Sequence, residues 1–306
     1  MNGVLVLDKP ADFTSFDVVA VARRLCKQKK IGHTGTLDPM ATGVLPLLLG
    51  SATRAQPFLP ETDKEYLAEF QLGVTTDTQD ITGRVLSRRS FRGTREEVLL
   101  RLAPFRGEIL QVPPMYSAVQ KDGVRLYDLA RKGITIDREA RPVTIHTLEL
   151  LSYDEQTACG ALRVRCSKGT YIRTLCEDIG NALGCGGTLL SLRRTAACGY
   201  TLDDCIPLEE ARRLAEAGRL AERVRPVDGI FGHLPAVTVS ERQAVRFSNG
   251  GGLDLGRVTL PGTAGEDGSL RVYGPEGRFL GLGKADAAQG GTLGRPVIRR
   301  RRILNK

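Results

Sequence analysis

One stretch, GHTGTLDPMATGVLP at residues 32–46, constrains this chain more than any other. It holds three glycines, two prolines, one histidine and a single acid, Asp38. Glycine permits backbone conformations closed to other residues and lets a neighbouring chain approach closely. Pro39 pushes Asp38 towards extended backbone and stops any helix there. These features predict a rigid, tightly turned loop that presents one carboxylate. Loops held on a scaffold are where catalytic groups concentrate. A structural turn, with Asp38 accepting only from nearby backbone N–H groups, fits the same residues. Local chemistry leaves both readings open.

The flanking sequence supplies the scaffold. GVLVLD at 3–8 is an apolar run suited to a buried first strand. The start therefore reads as a strand rather than as a signal peptide. Thr14 and Asp17 have capping-box spacing, and Val18, Val19, Ala22, Leu25 and Cys26 recur at helical intervals up to about Lys27. Lys27, Lys29 and Lys30 then stand just before the glycine loop, either as a phosphate grip or as cations favoured at a helix C-terminus. VLPLLL at 44–49 is a second buried run, and KEYLAEFQLG at 64–73 alternates with Tyr66, Ala68, Phe70 and Leu72 on one face, as in a half-buried strand. Tyr66 by itself reads as a core aromatic.

Residues 75–83 are polar turn material, and 94–105 form a helix opened by a second capping box, Thr94 to Glu97. Pro113 and Pro114 exclude a regular helix at 111–118, and a short helix ends at Gly133. Strands are predicted at 141–151 and 161–168, the second with Arg163 and Arg165 opposite its core face, and another at 187–195. A helix opening near Thr170 buries Ile172, Leu175, Cys176, Ile179 and Leu183. It puts Arg173 in its first turn, where the helix dipole favours anions. A cation placed against that preference points to an acidic partner: Asp38, or Glu177 one turn on. A further helix at 207–217 opens on Pro207, and a linker falls at 225–235. Beyond it come a short helix capped by Ser240 and strand candidates at 270–273, 279–284 and 297–303, together a small β-rich domain.

Composition narrows the chemistry. The formal net charge of +9 and the run Arg299 to Arg302 favour a polyanionic partner, of which nucleic acid is the common one. No run of about 18 apolar residues exists, so no membrane span is expected. Seven cysteines without a Cys-x-x-Cys pair argue against a disulfide framework and a thiolate zinc site, and the three histidines lack ligand spacing, so no metal is expected. Reduced thiols fit a cytoplasmic protein. No P-loop, dinucleotide fingerprint or serine elbow is present. What remains is a carboxylate without an evident metal or cofactor. Beside an arginine, such a group can stay charged in a closed pocket and act as a nucleophile.

The loop GHTGTLDPMATGVLP closely resembles the catalytic motif of the tRNA pseudouridine synthase B (TruB) family, bacterial type. KEYLAEFQLG, VPPMYSAVQKDGVRLYDLARKG, CSKGTYIRTLCEDIG and SLRRT follow in the family's order. The resemblance is strong over residues 3–200 and weaker beyond. It implies an α+β fold: a pseudouridine synthase core with a mixed, mostly antiparallel sheet and flanking helices at 1–230, then a PUA-like RNA-binding domain at 231–306. It implies isomerisation of the T-loop uridine at tRNA position 55, by breaking the N1–C1′ bond, rotating the uracil and rejoining it through C5, with no cofactor.

Carried onto this sequence, the resemblance makes Asp38 the nucleophile and Arg173 its partner. Tyr66 stacks on the target base and is a candidate for proton transfer, and Tyr171 and Leu192 wall the pocket. His33 enters the RNA loop as the base leaves, and Lys9 and Lys30 bind substrate. The expected partner is the T-stem-loop of tRNA, met by a monomer without guide RNA. Two other readings fit the same residues: an RNA-binding or tRNA-folding protein in which Asp38 is incidental, and the catalytic subunit of a guide-RNA particle.

Overall fold

A computed structural model describes residues 1–60, 63–254, 268–286 and 292–293 of the 306-residue chain. Strand β1 (Gly3–Lys9) leads into α1 (Ser15–Leu25), whose N-cap Thr14 and Asp17 form the expected reciprocal capping box. Next come β2 (Ile31–His33) and β3 (Thr42–Leu49), with the glycine loop between them, then β4 (Lys64–Leu72). A small hairpin, β5 (Val74–Thr76) and β6 (Val85–Arg88), precedes α2 (Arg95–Leu102) and β7 (Gly107–Gln111). A second hairpin, β8 (Gln120–Lys121) and β9 (Val124–Arg125), runs into α3 (Leu126–Ala130). The long strands β10 (Arg141–Asp154) and β11 (Cys159–Cys166), helix α4 (Ile172–Ala182) and strand β12 (Gly187–Ala197) complete the central layer. The short β13 (Tyr200–Thr201) and β14 (Ile206–Pro207) lead to α5 (Leu208–Glu216), for which Pro207 is the N-cap rather than the first helical residue.

These strands form one sheet in the order β14-β1-β3-β12-β4-β11-β10-β7, with β2 added to β3 and β13 to β12. The β14–β1 and β3–β12 pairs are parallel and the other pairs antiparallel, the mixed, mostly antiparallel sheet that the family resemblance implies. The apolar runs of β1 and β3 are buried on both faces. Leu5, Leu7, Leu45 and Leu47 pack with Val18 and Ala22 of α1, whereas Val4, Val6, Val44 and Leu48 pack with Ile230 and Phe231. Further along the sheet, β4 and β11 bury alternate residues beneath α2 and α4, so the period-two pattern of 64–73 becomes one face of a third cluster that includes Tyr66.

Two glycines bring backbones together where the site forms. Gly43 has φ +105°, and a Cβ there would lie 2.2 Å from the carbonyl oxygen of Arg194, its register partner on β12. Gly180 seats α4 on the start of β12, because a Cβ would lie 2.1 Å from the backbone of Gly186. The first sets the Asp38 loop beside β12; the second fixes the helix that carries Arg173.

A separate five-stranded sheet follows, in the order β15 (Ala236–Thr238), β17 (Ser269–Tyr273), β18 (Phe279–Asp286), β19 (Thr292–Leu293), β16 (Leu253–Asp254). Helix α6 (Glu241–Ser248), capped by Ser240 as expected, packs Ala244 and Phe247 against it. The strand expected at 297–303 and the arginines at 299–302 lie outside the described residues.

Candidate active site

The loop between β2 and β3 is clamped from two sides by buried cations. Lys9, at the end of β1, has no exposed surface; its Nζ donates to the carbonyls of Phe13 at 2.5 Å, Pro10 at 2.9 Å and Pro39 at 3.0 Å. Arg194, on β12 and equally buried, donates to the carbonyls of Val44 at 2.8 Å, Gly35 at 3.2 Å and Thr36 at 3.3 Å. Ser15 Oγ accepts from the Leu37 amide at 2.8 Å, and the Ala41 amide donates to the Asp38 carbonyl at 3.1 Å. The backbone on either side of Asp38 is thus held by hydrogen bonds with Lys9, Ser15 and Arg194, while the Asp38 side chain stays 36% exposed.

Arg173 reaches that carboxylate from the first turn of α4. Its side chain is 4% exposed, and Nε lies 2.9 Å from Asp38 Oδ2. The Nε–H is not aimed at an acceptor, so the contact is an ion pair rather than an aligned hydrogen bond. The directed bonds come from the guanidinium tips: Nη1 donates to the Thr78 carbonyl and Nη2 to the Tyr116 carbonyl, both at 2.8 Å. Of the two partners open in the sequence, Asp38 takes Arg173. Glu177 instead accepts from the side-chain amide of Gln79, whose carbonyl accepts from Thr174.

Asp80 is the residue that sequence reasoning missed. It sits in the turn between β5 and β6, is 5% exposed, and has Oδ2 3.7 Å from Arg173 Nη1. Its other carboxylate oxygen accepts from Thr78 Oγ1 and from the Thr82 amide and hydroxyl. Arg173 therefore lies between a buried carboxylate, hydrogen-bonded through its other oxygen, and an accessible one. That arrangement holds the Asp38 carboxylate against a guanidinium and leaves it open to a reactant. Nothing in the polar run 75–83 marks Asp80 for this role, since its partner is almost a hundred residues away.

The other expected site residues divide. Tyr66 is buried on β4, and burial pushes its phenol up to about 12 although Arg194 opposes the shift; it is a neutral phenol at pH 7. Tyr171, the N-cap of α4, is bound through its backbone to both ends of the Gln111 amide, and burial raises its phenol too. Leu192 is buried on β12 in the same cluster as Tyr66. His33 ends β2 with its Nδ1 unpartnered, and burial followed by the nearby Arg194 charge lowers its pKa, so the ring is neutral at pH 7. Lys30 is exposed and lines an open cleft with His33.

Lys9 departs from expectation. Lys9 was expected to bind substrate, but its ammonium is enclosed and engaged by three carbonyls, so it positions the loop instead. Arg163 and Arg165, which stand opposite the core face of β11, pair with Glu149 at 3.3 Å and Asp63 at 2.9 Å. A cation already paired on the sheet surface is a weaker phosphate contact.

Burial pulls Lys9 down to about 8 even though the Asp38 carboxylate favours its charge. The unfolded chain keeps that proton to about 10.4. Between these values the unfolded state binds more protons, so the side chain's contribution to stability rises with pH and is lowest below pH 8. In paired denaturation curves at pH 7 and pH 9.5, Lys9→Met should lose more stability relative to wild type at the higher pH. An equal loss at both would place Lys9 outside this linkage.

Among the described residues no group of histidine, cysteine and acidic side chains could hold a metal ion, and no helix is long and apolar enough to cross a membrane.

Known proteins match this arrangement along the chain. Residues 23–172 match the N-terminal domain of the TruB family pseudouridylate synthases, 173–231 a tRNA pseudouridylate synthase B C-terminal domain, and 235–290 the C-terminal model of pseudouridine synthase II TruB. The tRNA pseudouridine synthase B of Aromatoleum aromaticum is 47% identical over 96% of this chain and 91% of its own length. That of Cupriavidus metallidurans is 45% identical over 93% and 90%. Among solved structures, a chain of an H/ACA RNP bound to a substrate RNA containing 2′-deoxyuridine shares the fold, with a TM-score of 0.74 at 24% identity over 98% of this chain and 86% of that one. A chain of a Cbf5-Nop10-Gar1 complex gives 0.72 at 26% identity, over 98% and 81%. With its family models laid end to end along the chain and relatives at nearly half identity over almost all of it, this protein belongs to the TruB family of pseudouridylate synthases.

Proposed function

We propose that this protein is a tRNA pseudouridine synthase that converts the T-loop uridine at position 55 to pseudouridine. The N1–C1′ bond of the uridine breaks, the uracil turns, and a C5–C1′ bond forms; N1 gains a proton and C5 loses one, so the product is an isomer. Asp38 is the nucleophile and Arg173 holds it. The observation that carries this reading is the ion pair between an accessible Asp38 and an enclosed Arg173.

The target base must leave the folded RNA loop before its glycosidic bond is reachable, which costs a few kcal/mol. Stacking on Tyr66 returns part of that cost, about 1–3 kcal/mol for a base on an aromatic ring. The neutral His33 ring fills the space the base leaves, and Tyr171 and Leu192 wall the pocket. The core spans 1–230, and 231–306 is a PUA-like domain that adds RNA contacts. The protein acts in the cytoplasm as a monomer, without cofactor or guide RNA. The relatives at 45–47% identity are named for tRNA, which favours this reading over a guide-RNA particle.

Unmodified tRNA transcript tritiated at uridine C5 tests it. The protein alone should release one tritium per tRNA to water. No release without a guide RNA would overturn the guide-independent reading, and binding without any release would favour a tRNA-folding role.

A further inference from the structure

Next to His33 lies a cleft of about 560 Å³ that the chemistry at Asp38 does not use. Phe16 and Arg23, seven residues apart on one side of α1, form one wall, and Lys29, Lys30 and His33 line the cleft together with uncharged residues that include Thr53 and Gln56. Phe16 is 62% exposed, with the Arg23 guanidinium 5.5 Å from its ring centroid. Arg23 Nη2 donates to the Ile31 carbonyl at 3.2 Å, which fixes the guanidinium against β2. Among the described residues no acid lines the cleft. Asp17, beside Phe16 in sequence, has its carboxylate turned back on the Thr14 amide and hydroxyl.

Single exposed apolar side chains are ordinary on a protein surface. This one differs in its company: a π face, a guanidinium and two ammonium groups around one concave space. An unpaired nucleotide has the complementary chemistry, a flat base for the ring and phosphates for the cations. An acidic peptide would leave the ring unused.

We propose that this cleft is a second nucleotide subsite. It takes an unpaired base of the same RNA that carries the target uridine, stacked on Phe16, with adjoining phosphates on Lys29 and Lys30. The assignment rests on the reading that the substrate is an RNA loop, because His33 is the wall shared with the site entered by that loop.

The test uses the full chain and a T-stem-loop RNA with 2-aminopurine placed, one position at a time, at each unpaired nucleotide other than the target. Wild type should quench one position on binding, and Phe16→Leu, which keeps apolar volume without a π face, should lose that quench. Phe16→Ala and Phe16→Leu should each raise Kd on the order of tenfold, and Phe16→Tyr should restore it. The loss should fall on KM more than on kcat. The Lys29→Ala, Lys30→Ala double variant should lower the slope of log Kd against log salt by about 1.4, the value for two phosphate contacts on single-stranded RNA. These side chains are exposed, so thermal melts should match wild type.

A Kd within twofold of wild type for Phe16→Leu overturns the subsite, whether or not Phe16→Ala is weakened, because apolar packing would then suffice. Tritium release by wild type in that same experiment would leave the catalytic reading standing. Absence of release by wild type would instead overturn the catalytic reading.

Discussion

Asp38→Asn should reduce tritium release from C5-labelled tRNA by a factor on the order of 10⁴ or more, while Kd for the same tRNA stays within about threefold. The substitution keeps shape and hydrogen-bonding capacity and removes the charge on which the proposed nucleophile depends. The loop should survive it, because Lys9, Arg194 and Ser15 bind its backbone and not the carboxylate. Arg173 keeps two carbonyls and the Asp80 carboxylate. The cost in stability is then about 1–2 kcal/mol, that of one charged contact whose acidic side is open to solvent. Single-turnover release with saturating enzyme separates chemistry from product release. Release at the wild-type rate would sink the nucleophile assignment and return Asp38 to the structural reading that the loop sequence also allows.

Much of the fold was legible because its signals are local. The Thr14–Asp17 and Thr94–Glu97 pairs are reciprocal caps at the helix starts they marked. The alternation of Tyr66, Ala68, Phe70 and Leu72 is the buried face of β4, and Ile172, Leu175, Cys176 and Ile179 are the buried face of α4. The misplaced charge of Arg173 signalled an acidic partner, although spacing could not choose between Asp38 and Glu177.

What stayed hidden depends on contacts between segments far apart in the chain. Arg194 reads as a surface arginine at the end of a strand, yet its three acceptors are carbonyls about 150 residues away in sequence. Lys9 reads as a polar strand end and is enclosed by its own loop and by Pro39. Arg163 and Arg165 alternate correctly away from the core, but the pattern cannot reveal the acids facing them. Cations that bond backbone carbonyls leave no partner residue type in the sequence to find.

Arg173 supplies the second large effect. Arg173→Lys keeps a positive charge and loses the planar fork, so it separates charge from geometry. The guanidinium bonds the Thr78 and Tyr116 carbonyls while meeting Asp38 and Asp80, and so ties α4 to the β5–β6 turn and to the segment before β8. A single ammonium cannot keep both carbonyls and both acids at these directions. We expect kcat to fall by about 10²–10³, the scale of misplacing one catalytic group by about an ångström, and Kd for tRNA to rise less than about threefold. Arg173→Ala should fall further in kcat and also melt earlier, because it leaves the enclosed Asp80 without its cation. The small effect on Kd follows from burial: a side chain 4% exposed cannot reach a phosphate without leaving its pocket. Equal losses in kcat and Kd for Arg173→Lys would mean that the side chain does leave it to hold RNA, and the ion pair with Asp38 would then describe only the free protein.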